Sequence, residues 1–212
     1  MSTLDLQEQE QVDALKAWWK ENGKWLIVVL VLAVLGFAAL QYWKSYQVKQ
    51  SAEAATLYSE VLKQVASNDP KRINDAVAAL VDKYSGTAYA PRAQLLAVQA
   101  NMQVRDFSRV KTQLQWVIDH ASETGLQDTA RLKFASLLLD EQDYTGAMKL
   151  LDATHPEAFV GLYADLKGDV LNAQGKTEEA RVAYKLAFDK TDSKSAYRNL
   201  IQLKLDALGG AK

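Results

Sequence analysis

The chain has 212 residues, enough for one or two domains whose core needs no covalent staple. Lys+Arg 25 against Asp+Glu 26 leave a net charge of -1, which argues against the one-signed field that a nucleic-acid partner requires. Cysteine is absent, which excludes disulfides and thiolate nucleophiles, and three prolines in a chain rich in Ala, Leu, Lys, Gln and Glu favour long helices over strands.

Residues 1–24 read as a short tail. Val12, Leu15, Trp18 and Trp19 form an apolar stripe at helical spacing, with Lys16, Lys20 and Lys24 repeating every fourth residue beside it. That pattern suits either an amphipathic helix lying at a membrane surface, with a break expected at Asn22-Gly23, or the end of one long helix.

From Trp25 to Trp43 no charged residue occurs. At 1.5 Å per residue such a run reaches about 28 Å, close to the hydrocarbon thickness of a bilayer. Trp25, Tyr42 and Trp43 stand where amphipathic rings prefer the headgroup boundary, with Lys24 and Lys44 just outside them, so these five residues are the expected membrane anchor. A buried core helix and a cleaved signal peptide are the competing readings. Lysines flanking so long a Val/Leu run argue against the first; hydrophobicity continuing beyond Gly36 and Ala38, after a long tail with several acidic residues, argues against the second. Lys16, Lys20 and Lys24 before the run outnumber Lys44 and Lys49 after it, which places the N-terminus in the cytoplasm and the larger C-terminal part across an inner membrane.

Residues 44–70 continue as a helical stalk and first repeat helix, because no Gly or Pro interrupts the chain from Phe37 to Asp69, and Ser67-Asn68-Asp69-Pro70 stops it. Residues 71–212 then alternate helix-length periodic segments with short punctuators, at Ser85-Gly86, Gly125, Gln142-Asp143, His155-Pro156, Gly175-Lys176 and Asp192-Ser193. The expected fold is all-α: a single transmembrane helix followed by a tetratricopeptide-like solenoid of helical hairpins.

The repeat rests on particular residues. Gly168 and Ala180 are small where two helices would cross, Tyr184 would fill the groove between them, Gly175 would make the turn, and Ala187 completes the unit. Ala135, Tyr144, Ala147 and Leu151 occupy the same places one unit earlier, and Val98, Phe107, Val110 and Leu114 one unit before that. Ala76, Val110, Ala147 and Ala180 are taken as equivalent, at the ~34-residue period of the tetratricopeptide class. The pattern is imperfect, since Ala164 and Arg131 replace an aromatic and Asp192 a closing proline. A last segment, Ser195 to Leu208, carries Tyr197, Ile201, Leu205 and Leu208 on one face and can cap the stack.

No phosphate loop, nucleophile elbow or paired-His helix is present, and His120 and His155 read as surface or capping residues. The chain is therefore read as a non-enzyme without catalytic, metal or cofactor residues. Its partner-binding residues are not legible, although a solenoid offers an extended surface for another protein.

Gln11-Val12-Asp13-Ala14-Leu15-Lys16, then Trp18-Trp19, Glu21-Asn22-Gly23-Lys24, the span, and Tyr42-Trp43 with Ser45 resemble the YfgM family of membrane-anchored tetratricopeptide proteins, ancillary to the SecYEG translocon. The resemblance implies a periplasmic domain that binds SecYEG and a PpiD-like periplasmic chaperone, and that helps pass translocated polypeptides to the periplasmic folding machinery. Outside that resemblance, a membrane-bound regulator whose tail binds a signalling protein, or an envelope assembly factor unrelated to the translocon, fits the same residues.

Overall fold

The computed structural model describes residues 3–209, with side chains from Glu10 onward. All regular structure among them is helical: α1 (Thr3–Ser67), α2 (Pro70–Tyr84), α3 (Tyr89–Gln103), α4 (Phe107–His120), α5 (Thr124–Asp140), α6 (Tyr144–Leu151), a 3-10 turn (Glu157–Phe159), α7 (Val160–Ala173), α8 (Thr177–Lys190) and α9 (Ala196–Ala207). Two compact units divide the chain between Gln50 and Ser51.

In the first unit α1 passes through Asn22 and Gly23 without interruption, so the break expected there does not form and the tail is the end of one long helix. The physical reason lies in Trp19. Its indole folds over Gly23, where an added Cβ would come within 3.1 Å of the ring, and Gly23 is buried beneath it. Asn22 donates to the carbonyl of Trp18 one turn back instead of opening the helix. Glycine at this position makes room for a side chain, which outweighs its modest cost in helix propensity.

The second unit has no single core. Its four apolar clusters follow one another along the chain, each shared by three consecutive helical segments. The first joins the end of α1 through Val61, α2 through Ile73, Val77 and Leu80, and α3 through Ala93 and Ala97. The next joins Val98 of α3, Val110, Leu114 and Val117 of α4, and Leu137 of α5. Neighbouring residues thus serve successive clusters: Leu137 faces one and Leu138 the next, and Tyr163 and Ala164 divide likewise on α7. A helix turns about 100° per residue, so α3, α5 and α7 bury two faces each. That is the bonding pattern of a solenoid, in which each hairpin is covered by the next.

Within each hairpin the turn is built the same way. Asn68, Arg105, Gln142 and Gly175 all take positive φ, at 56°, 60°, 63° and 76°. The three later turns close with a paired bond: Asp106, Asp143 and Lys176 donate backbone N–H to the carbonyls of Asn101, Leu138 and Leu171, while the left-handed residue before each donates to the next carbonyl along. These are Schellman caps, which satisfy carbonyls a helix end would otherwise orphan. Asp69, Asp106 and Asp143 then cap the following helix, their carboxylates accepting from Arg72, Arg109 and Gly146 N–H.

These turns set the true register of the repeat. Val110, Ala147 and Ala180 each lie four residues after the residue that follows the left-handed position, and all three are fully buried. In the first copy that place belongs to Ile73, which is buried, and not to Ala76, which is half-buried at the edge of its cluster. Gly125 likewise does not punctuate the chain: it lies in the first turn of α5, and the break falls at Ala121–Glu123.

Candidate interaction surface

The residues expected to anchor the chain lie in the first unit. Lys24, Trp25, Tyr42, Trp43 and Lys44 are all exposed, as is every residue between them. Large apolar side chains from Trp25 to Trp43 remain 43% to 75% exposed among the described residues. Among the described residues α1 is the one helix long and apolar enough to cross a membrane.

The residues expected to pack the repeats lie in the second unit. Ala135, Ala147, Leu151, Ala180, Tyr184 and Ala187 are buried, Gly168 sits under the Tyr184 ring, and Tyr144 is half-buried against the cluster of Leu151 and Tyr163. Gly175 is exposed at its turn.

Buried polar groups, which composition and periodicity do not reveal, bind successive repeats together. Asn101 on α3 bonds reciprocally with Asn74 on α2 at 2.8 and 3.0 Å and donates to Gln113 on α4 at 2.9 Å, while Gln113 donates back to Asn74 at 3.0 Å. Farther on, Asp128 of α5 accepts from the Tyr163 hydroxyl of α7 at 2.8 Å and from Arg131 at 2.9 Å. Asp165 of α7 accepts from the Tyr197 hydroxyl of α9 at 2.6 Å and from Lys204 at 2.7 Å. Each carboxylate is almost wholly buried and each tyrosine reaches it from the second helix onward. The one trace in the sequence is an Asp and a Tyr about one repeat length apart.

The tyrosines register this environment. Burial first, and then the hydrogen bond to and charge of Asp128, push the Tyr163 hydroxyl well above its ordinary value. Burial and Asp165 do the same to Tyr197, and burial and Asp169 to Tyr184. All three are held neutral as donors. Their hydrogen bonds tie α5 to α7, α7 to α8 through Asp169 beside the crossing, and α7 to α9.

His120 is exposed and stacked on Trp116 at 4.5 Å, with Nδ1 2.9 Å from the Trp116 carbonyl. His155 is half-buried, with its ring stacked on Tyr163 at 3.9 Å and its Nδ1 2.8 Å from the Ala153 carbonyl. Among the described residues no group of three or more His, Asp or Glu side chains is placed to hold a metal ion.

Among the described residues, hollows open on the second unit. One, of about 490 Å³, lies between α6, α7 and α8 beneath Tyr144 and Met148, with Lys149, Asp152, Lys176 and Glu179 at its edge. The other, of about 270 Å³, lies between α3, α4 and α5 and has an aliphatic floor of Val98, Val110, Leu114 and Leu137. Both are shaped by the stacking itself, where three helices meet imperfectly.

Comparison with known proteins matches this organisation at two scales. A family model described as a tetratricopeptide repeat-like domain covers residues 16–210, and so includes the apolar run as well as the hairpins. The chain is 30% identical over 204 residues to the ancillary SecYEG translocon subunit of Neisseria gonorrhoeae, spanning 96% of this chain and 98% of that protein. It is 28% identical over 204 residues to the protein of that name from Escherichia coli, spanning 95% and 96%, and 27% identical over 206 residues to that from Haemophilus influenzae, spanning 96% and 98%. Similarity that runs nearly end to end, through tail, apolar run and repeats alike, makes this chain a member of the YfgM family of ancillary SecYEG translocon subunits, within the tetratricopeptide repeat-like proteins.

Proposed function

We propose that this chain is a non-enzymatic docking subunit of the SecYEG translocon. Residues 25–43 anchor it in the bacterial inner membrane, residues 1–24 lie in the cytoplasm, and residues 44–70 and 71–212 form the stalk and repeat domain on the periplasmic side. The domain receives a PpiD-like chaperone and helps transfer translocated polypeptides to the periplasmic folding network.

One observation carries this reading: relatives matched over nearly the whole chain bear the translocon's name, and the match extends through the exposed apolar run that would hold the chain beside a membrane channel. Physical argument supports the rest. A helix with an exposed apolar run of this length is stable in hydrocarbon and a liability in water. Tethering beside a channel exit raises the effective concentration of a docking surface toward whatever emerges there. The buried Asp and Tyr pairs stiffen the stack, and a stiff surface costs less entropy on binding.

Purification of the full chain in mild detergent tests the reading directly, with SecYEG and a PpiD-like chaperone expected to copurify. Their absence, with the chain itself recovered intact, would overturn it. Orientation has its own test: added protease should reach the repeat domain in spheroplasts but not in inverted inner-membrane vesicles, and the opposite pattern would reverse the topology.

A further inference from the structure

The hollow between α3, α4 and α5 differs from the other in its chemistry. Its floor is aliphatic, while α5 sets Lys133, Ser136, Leu137 and Asp140 along its edge at helical spacing. Neither Lys133 nor Asp140 has an ion-pair partner among the described residues, although ion pairs are frequent elsewhere in the domain, as between Lys111 and Glu141 or Lys167 and Asp152. The side chains of Gln99 and Ser136, both exposed at the rim, make no hydrogen bond among the described residues. Met102, 40% exposed, overhangs the floor, and its flexible thioether can swing aside without disturbing the helix.

Size and charge choose the occupant. At about 270 Å³ the hollow falls below the ~300–1,000 Å³ usual for small-molecule sites, and its polar residues, Gln99, Lys133, Ser136 and Asp140, are exposed rather than enclosed with the floor. A folded partner would bury roughly 800 Å² of surface on its own side, whereas the hollow by itself seats little more than one side chain. A single aliphatic side chain on an extended backbone meets both limits. In an extended chain the residues two before and two after it project to the same side, about 13 Å apart. Lys133 and Asp140 stand about 10.5 Å apart along α5 and their flexible side chains can reach flanking charges of opposite sign. Gln99 and Ser136 are free to bond the main chain between them.

We infer that this hollow is a client site: it takes one branched aliphatic side chain of an unfolded polypeptide, held extended across Gln99 and Ser136, with flanking charged residues paired to Lys133 and Asp140. The assignment rests on the function proposed above and gives its cargo a binding chemistry.

The test uses the purified full chain in detergent and a fluorescein-labelled seven-residue peptide with Leu at its centre, Asp two positions before, Lys two positions after, and Gly or Ser elsewhere. Fluorescence anisotropy should show saturable binding, weakened roughly tenfold when the central Leu is replaced by Ala. Ser136→Trp, at an exposed position, should abolish binding while the circular dichroism and melting temperature are unchanged. Charge preference is the sharper readout because it does not depend on chain direction. Lys133→Asp should favour a peptide with Lys on both flanks, and Asp140→Lys one with Asp on both flanks. Equal binding of the Leu and Ala peptides, or flank preferences indifferent to both charge reversals, would overturn the assignment. Copurification with SecYEG alongside such a result would leave the docking function standing and remove only this site.

Discussion

The ring of Tyr184 fills the space that a side chain on Gly168 would need: a Cβ built there would lie 2.5 Å from Tyr184 Cδ1 and Cε1. α7 and α8 therefore approach more closely than a methyl group permits, and the phenol that seals their crossing donates from its far end to Asp169 at 2.7 Å. In the preceding hairpin the corresponding places hold Ala135 and Leu151, both fully buried. A small residue and a large one are required together, and the pair can be exchanged only as a pair.

Gly168→Ala should accordingly destabilise the repeat domain, since overpacking a tight crossing costs about 1–3 kcal/mol and the better helix propensity of Ala returns at most about 1 kcal/mol. The double variant Gly168→Ala/Tyr184→Leu, which copies the earlier hairpin, should lose less stability than the two single changes added together. Urea denaturation of the four proteins measures this coupling. Strict additivity would show that the ring and the missing side chain do not compete.

The left-handed turns supply a second comparison. Gly175 holds φ at 76° without strain, whereas Arg105 and Gln142 hold nearly the same conformation with a Cβ present. A non-glycine residue in this region costs roughly 1–2 kcal/mol. Gly175→Ala should lower stability by about 1 kcal/mol, and Gln142→Gly should raise it by up to about that amount after glycine's greater unfolded-state entropy is subtracted. Thermal melts that move both variants in the same direction would refute the shared turn geometry.

What the sequence disclosed followed from how many faces each helix buries. α2, α4, α6 and α8 bury one face each, so the positions of Val110, Ala147 and Ala180 can be read directly from the periodicity. α3, α5 and α7 bury two, which spreads apolar residues around the helix and weakens the signal. The first copy is ambiguous in the sequence for a related reason: Ala76 and Ile73 lie three residues apart on one helix face, and only the cap made by Asp69 tells which belongs to the crossing. Gly23 misled because a glycine reads as a break, while its role depends on where Trp19 folds. The floor of the α3, α4 and α5 hollow draws on residues from three helices, a juxtaposition no local pattern contains.

The amide cluster of Asn74, Asn101 and Gln113 ties three helices with four hydrogen bonds among groups that are buried or half-buried. Removing Asn101 would leave the other two amides short of partners, and each unsatisfied group costs about 1–3 kcal/mol. Asn101→Ala should therefore destabilise the domain more than an exposed control such as Gln103→Ala, and hydrogen exchange should quicken first in α2, α3 and α4. Uniform exchange across the domain would mean the cluster does not hold those helices locally.

The buried tyrosines predict how the domain responds to alkali. Tyr163, Tyr184 and Tyr197 have hydroxyl ionisation raised in the folded state, by burial first and by their aspartate acceptors second. For a group whose folded value lies above its unfolded one, the stabilisation is complete below the unfolded value, about pH 10 for tyrosine, and is lost as pH rises toward the folded value. Stability should therefore hold level through neutral pH as far as these groups are concerned and decline above about pH 10. Of the nine tyrosines in the chain, these three should ionise together with unfolding, visible as a late, cooperative rise in phenolate absorbance. Tyr197→Phe should remove part of that late step and loosen α9, because the hydroxyl is one of the ties from α9 to Asp165. Smooth titration of all nine near the ordinary value, with circular dichroism unchanged, would refute the interior hydrogen bonds on which the stacking of α5, α7 and α9 is argued to depend.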